Sequence, residues 1–199
     1  MTTANEEQIR IFTENATRAS ARVYAVADLD QALATIMDIL ETKPALIPQM
    51  ETETAQSRPV LAAPDLGEDA HGRLADLCRE RDITLVRENL RDYPQGIDAG
   101  LTHARYALAD TGTLVVESQN EDVRLASMIS EFHIALISPS QIRRSALDMV
   151  DELAELTTKP GSYTAFITGP SRTADIERVL AIGVHGPLEL HILLLEEAA

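Results

Sequence analysis

Arg58-Pro59-Val60-Leu61-Ala62-Ala63-Pro64, then a polar stretch with helical spacing over 68–80, then Ile83-Thr84-Leu85-Val86, is the passage that sets the architecture. The two flanking runs are short and apolar, bounded by Pro64 at one end and rich in β-branched residues at the other, which is how strands read. Between them Leu74, Leu77 and Cys78 recur at the spacing of one helical face. Strand, helix, strand at this separation is a βαβ unit, whose crossover makes the two strands parallel. Parallel sheets need helices on their faces, so the expected fold is an α/β sandwich with a mainly parallel central sheet.

Downstream, Tyr106-Ala107-Leu108-Ala109 and Leu114-Val115-Val116 flank Asp110-Thr111-Gly112-Thr113, which predicts two strands joined by a tight turn. Phe132 to Ile137 reads as another strand. It leads into Ser138-Pro139-Ser140-Gln141, where Ser as N-cap, Pro at N1 and Gln at N3 predict a helix running to about Leu156, ahead of Lys159-Pro160-Gly161. A strand over 163–168, a helix near 174–182 stopped by Gly183, and a strand over 188–195 complete the series. Upstream, Ile9, Phe12 and Ala16 predict a helix over 5–19. Asp28 with Gln31 resembles a capping box opening a second helix to about Leu40. Thr42 to Ser57, with Pro44 and Pro48, reads as an irregular connection, longer than compact domains usually use. The expected organisation is thus residues 1–57 as helices and connection packed on an α/β domain at 58–199.

The chain has 199 residues, 45% of them hydrophobic, and a net charge of −15. That length suits burial of roughly 70% of the unfolded surface. The acidic balance excludes a phosphate-tracking nucleic-acid module, and four Tyr, three Phe and no Trp leave little for a base-stacking platform. Cys78 is the single cysteine, so this chain holds no internal disulfide, Cys-rich zinc site or iron–sulfur cluster; it reads as buried filler on a helix face. The start, Met1-Thr2-Thr3-Ala4-Asn5-Glu6-Glu7, has no basic or apolar leader character, and no apolar run approaches the ~20 residues of a membrane span. The expectation is a cytoplasmic protein with no membrane and no nucleic-acid partner. GxSxG, P-loop and GxGxxG patterns are absent from the sequence.

Ligands of open α/β sheets gather at the carboxyl ends of strands, and three segments there are rich in Gly, Thr, His and Arg. Thr111-Gly112-Thr113 reads either as a hairpin turn or as backbone lying against a ligand. In Gly169-Pro170-Ser171-Arg172-Thr173-Ala174-Asp175, Ser171 or Thr173 would cap a following helix. With Arg172, its free N–H groups would receive a carboxylate or phosphate; the plainer reading leaves Arg172 paired with Asp175. His185, between Gly183 and Gly186, is a candidate general base or a lock on its own turn. His133 opens a strand, where a histidine more often has a structural partner. His71, His103 and His191 show no paired spacing with carboxylates, so the sequence lends a metal site no support.

Ala109-Asp110-Thr111-Gly112-Thr113-Leu114, the run from Gly169 to Glu177, and Gly183-Val184-His185-Gly186-Pro187 resemble, in this order, the LUD (lactate-utilisation) domain family. Within it the likeness is to the short single-domain branch, lactate utilisation protein C, over residues 58–199. The resemblance implies a fold like that of the glucosamine-phosphate isomerase, ribose-phosphate isomerase and CoA-transferase superfamily. It also implies a part in oxidising L-lactate to pyruvate, with iron–sulfur clusters carried by partner subunits and no cofactor in this chain. A small carboxylate would then be the ligand, and Thr111, Gly112, Thr113, Gly169, Ser171, Arg172, Thr173, Asp175, His185 and Gly186 its contacts. A homo-oligomer is compatible with this. The alternative is a stand-alone enzyme of that superfamily acting on a small carboxylate or a sugar phosphate. Two positions depart from the family pattern: Ser130-Glu131-Phe132 replaces a Pro-containing approach to His133, and His103 stands where a small residue is usual.

Overall fold

A computed structural model describes residues 3–42, 58–93, 96–118, 120–158, 161, 163–176, 179–182 and 186–196. In chain order its elements are α1 (Thr3–Arg18), β1 (Arg22–Val26), α2 (Leu29–Glu41), β2 (Val60–Ala62), α3 (Glu68–Glu80), β3 (Thr84–Val86), β4 (Ile97–His103), β5 (Tyr106–Leu108), β6 (Thr113–Ser118), α4 (Glu121–Met128), β7 (Ser130–Ile137), β8 (Ile142–Arg143), α5 (Val150–Thr158), β9 (Tyr163–Ile167), β10 (Arg172–Ile176), β11 (Val179–Ile182) and β12 (Glu189–Leu195). The connection read over 42–57 lies, from residue 43 on, outside the described residues.

The βαβ reading is met: β2 and β3 pair parallel, Val60 opposite Thr84 and Ala62 opposite Val86. They form one side of a six-stranded sheet, ordered β1-β12-β7-β4-β2-β3, in which every neighbouring pair is parallel. Leu33, Ile36 and Met37 of α2 with Leu74 and Cys78 of α3 cover one face, against Leu101, Ile134 and Leu193. The α2 start follows from its cap: Asp28 accepts from the Gln31 N–H at 2.8 Å, and the Gln31 side chain accepts from the Ala27 N–H at 2.7 Å. On the opposite face Phe12 and Ala16 of α1 sit among Ala135, Ile192 and Leu194 of the central sheet and Ala107 and Leu114 of a second sheet. That second sheet runs β8-β5-β6-β9. Its outer side is covered by Met149 and by Leu156 of α5. The protein is a mixed α/β sandwich.

Two expected helices are corrected. The Ser138 capping box exists, yet it opens only a single 3-10 turn, Pro139–Gln141. The chain then extends as β8, with Ile142 opposite Ala107, and an α-helix starts only at Val150, after a further 3-10 turn at Ala146–Met149. A cap satisfies the first turn and says nothing of the next. Ile142-Arg143-Arg144 has no apolar periodicity, and burial of Ile142 beside β5 decides its conformation. The helix expected near 174–182 is a hairpin instead, β10 paired antiparallel with β11. Thr173, Ile176, Val179 and Ile182 are β-branched and stiff at χ1, which favours strand over helix. Gly183, expected to stop that helix, lies outside the described residues.

Two strands of the central sheet lie outside the expected ones. β1, at Arg22–Val26, pairs with β12 at one edge, so the first 57 residues contribute a strand as well as helices. β4 is interior, with Ala99 and Leu101 turned to the α2–α3 face and Asp98, Gly100 and Thr102 alternating between them. Buried Asp98 accepts from the Val60 N–H at 2.7 Å. A Cβ on Gly100 would lie 1.9 Å from the Ala126 carbonyl oxygen, so α4 rests with its backbone directly on the sheet there.

Candidate functional site

The motif segments converge around the end of α1. In the turn between β5 and β6, Gly112 has φ +65°, and a Cβ would stand 2.2 Å from the Ala16 nitrogen; the turn lies flat on α1. The Asn15 side chain fixes it by donating to the carbonyls of Ala109 (2.8 Å) and Asp110 (3.1 Å). Thr113 donates to the Thr111 hydroxyl at 2.7 Å and lies 2.7 Å from the Thr168 hydroxyl, so a row of three hydroxyls leads from this turn to the end of β9. Gly169 follows with φ +72°, its Cβ position only 2.0 Å from the Ala19 carbonyl oxygen. Arg172 donates from Nη2 to that carbonyl and to the Ser20 hydroxyl, both at 2.6 Å. This guanidinium closes the carboxyl end of α1, where a cation meets the negative end of the helix.

Ser171 donates its N–H to the Pro187 carbonyl at 2.9 Å, and a Cβ on Gly186 would meet Ser171 Cβ at 3.0 Å. The second and third motif segments therefore lie side by side. With the helix expected at 174–182 replaced by a hairpin, no helix among the described residues follows Ser171 to offer its N-terminus to an anion there. The backbone of Thr173 and Asp175 runs in β10. His185 lies outside the described residues, immediately before Gly186.

Gly169, Pro170, Ser171, Gly186 and Pro187 form one wall of a cleft of about 290 Å³. Opposite stand Ser127 and Met128 at the end of α4, Tyr163 and Phe166 of β9, Leu190 of β12, and His133 of β7. None of the described lining residues carries a formal charge, save His133 if protonated. The cleft opens where β7 and β12 begin, not at their carboxyl ends as expected, and β9 of the second sheet lines it. Met128 (50% exposed), Tyr163 (47%) and Phe166 (51%) leave its mouth apolar. A second hollow, between α1 and Asp110 and Arg144, contains none of the expected site residues.

His133 is the residue the sequence undervalued. It is 1% exposed; Nε2 lies 2.8 Å from the Thr102 hydroxyl, and the buried Nδ1 has no hydrogen-bond partner among the described residues. Burial pushes its pKa down from 6.5 to about 4, against the opposing field of Asp65, so the ring is neutral at ordinary pH. Two histidine–carboxylate pairs also form, one between segments distant in sequence and one between residues two apart within β12. Asp65 accepts from the His103 N–H at 3.0 Å with the ring 3.5 Å away, and His191 contacts Glu189 at 3.0 Å and Tyr24 at 3.1 Å. Among the described residues no three His, Cys, Asp or Glu side chains gather as a metal site would require. None of the described helices is long and apolar enough to cross a membrane.

A model of the LUD domain family matches residues 9–195. The chain belongs to the LUD domain family. Lactate utilization protein C of Halalkalibacterium halodurans is 35% identical over 113 residues, covering 55% of this chain and 49% of that protein. The protein of the same name from a Geobacillus species is 37% identical over 111 residues, 54% of this chain and 46% of its own. That from Bacillus subtilis is 34% identical over 122 residues, 59% and 50% respectively. The chain spans about half the length of these curated relatives. A crystal structure of a DUF162 family protein from Deinococcus radiodurans shares the fold, with a TM-score of 0.64 at 18% identity over 96% of this chain and 98% of that one. The LUD match starts at residue 9 rather than 58, in keeping with β1 and α1 being built into the sandwich.

Proposed function

We propose that this LUD-domain protein is a cytoplasmic subunit of an iron–sulfur-dependent system oxidising L-lactate to pyruvate, and that its cleft beside His133 binds the small carboxylate. The observation carrying this reading is the meeting of two family segments, Gly169-Pro170-Ser171 and Gly186-Pro187, on one cleft wall. The name lactate utilization protein C, borne by its relatives, supplies the substrate. Cluster assembly needs several thiolates. This chain has Cys78 alone, buried, its thiol pushed up to about 11, so the redox groups belong to partner subunits. Ser171 and Thr168 offer hydroxyls to the carboxylate, and His185, which precedes Gly186 in the sequence, is a further candidate. The apolar rim of Met128, Tyr163 and Phe166 gives a redox subunit a surface to cover.

Calorimetric titration of L-lactate into wild type and Gly186→Val tests the assignment. A Cβ there would stand 3.0 Å from Ser171 Cβ and 3.2 Å from its Oγ, so the added side chain displaces the Ser171 side of the cleft. Affinity is expected to fall at least about tenfold, the loss of roughly 1.4 kcal/mol. Equal affinity in both proteins places the ligand elsewhere. Lactate turnover by the isolated chain favours the stand-alone enzyme.

A further inference from the structure

We propose that His133, backed by Thr102, recognises the 2-oxygen of the bound acid and serves a 2-hydroxy acid and its 2-oxo counterpart alike by exchanging its imidazole tautomer. This rests on the small-carboxylate reading of the cleft. The geometry is specific: the ring is buried, its Nε2 is committed to Thr102 at 2.8 Å, and Nδ1 is a buried polar atom with no partner among the described residues, in a residue that lines the cleft. Such an orphan is costly unless something arriving in the cleft satisfies it.

Thr102 is what makes the ring adaptable. A hydroxyl both donates and accepts. When Nε2–H donates to Thr102 Oγ1, Nδ1 offers a lone pair and accepts from a hydroxyl. When the Thr102 hydroxyl donates to Nε2, Nδ1 carries the hydrogen and donates to a carbonyl. Rotation of one buried hydroxyl accompanies the exchange, and the net charge stays the same. Desolvation keeps the ring neutral, so both tautomers are accessible near pH 7. His133's register partners, Leu190 on β12 and Gly100 on β4, bring no ionisable group to it; Asp65 is the charge that acts on it. A site that merely held a carboxylate would have no use for this arrangement.

Titration of L-lactate, pyruvate and propionate into the full chain, with ¹⁵N spectra of the His133 ring in each complex, tests the proposal. Lactate and pyruvate are expected to bind comparably, and propionate, lacking the 2-oxygen, at least about tenfold more weakly, because it leaves Nδ1 unpaired. Nδ1 should be unprotonated with lactate and protonated with pyruvate. His133→Leu should abolish the preference over propionate; should that variant not fold, the wild-type spectra decide alone. The same tautomer in both complexes, or propionate binding as tightly as lactate, overturns the proposal. Failure of all three acids to bind wild type removes the small-carboxylate reading itself, and this inference with it.

Discussion

At His133 the ring has exchanged water for one hydrogen bond to Thr102, and its pKa has moved from 6.5 to about 4. The unfolded chain keeps the ordinary value, so between these two pH values it binds a proton that the folded chain refuses. Stability therefore rises with pH through that window, is complete above it, and falls by up to about 3 kcal/mol as the pH drops to 4. Urea unfolding at about pH 7 and about pH 5 should show this loss in wild type and a flatter dependence in His133→Gln; equal slopes would contradict the buried neutral ring. Arg172 illustrates the reverse lesson. From sequence it is either an anion's partner or paired with Asp175; in the structure its Nη2 donates to Ala19 and Ser20. Because Arg172 is exposed, Arg172→Ala should cost only about 1 kcal/mol in unfolding free energy and leave lactate affinity unchanged. A tenfold loss of affinity would restore the anion-binding role. Its residue type was legible in the sequence; the destination of its side chain was not, since Ala19 and Arg172 are distant in sequence and meet only on folding.

Among the elements, caps and periodicity proved informative where a helix also had a face to bury. α2 has both a cap and a buried face, α3 a periodic buried face without a side-chain cap, and both match expectation closely. The cap at Ser138 had no apolar stripe behind it, and the run after Ser171 was β-branched, so sheet pairing took both segments. β4 escaped notice because Asp98, Gly100 and Thr102 interrupt its apolar residues, although their alternation with Ile97, Ala99 and Leu101 was a signal. Each has a tertiary reason: Asp98 holds the Val60 N–H, Gly100 admits α4, and Thr102 bonds His133. Gly100→Ala should therefore destabilise by about 1–3 kcal/mol through overpacking. Gly72→Ala, in an exposed position of α3 with open space around it, should stabilise by about 0.5–1 kcal/mol. Melting temperatures moving in opposite directions check both; a Gly100→Ala protein as stable as wild type would mean that α4 can lift off β4 freely.

For the whole molecule the governing number is the net charge of −15. Exposed pairs such as Arg10 with Glu7 and Glu14, or Arg91 with Glu121, are weakened by the surrounding water and by side-chain entropy, so general repulsion outweighs them. Raising sodium chloride from about 10 mM to about 150 mM should increase the melting temperature as that repulsion is screened; a decrease would show that the ion pairs dominate. By itself the sequence determined the α/β class, the parallel βαβ unit, α2 and α3, the buried inert Cys78 and the family, because each is written in local periodicity, caps, composition or a contiguous motif. Only the tertiary structure decided the hairpin at β10 and β11, the clamp made by Arg172, and the cleft that brings His133 to Ser171 and Gly186. Those depend on which distant segments share a burial surface, and the free energy of that burial overrides a local preference whenever the two disagree.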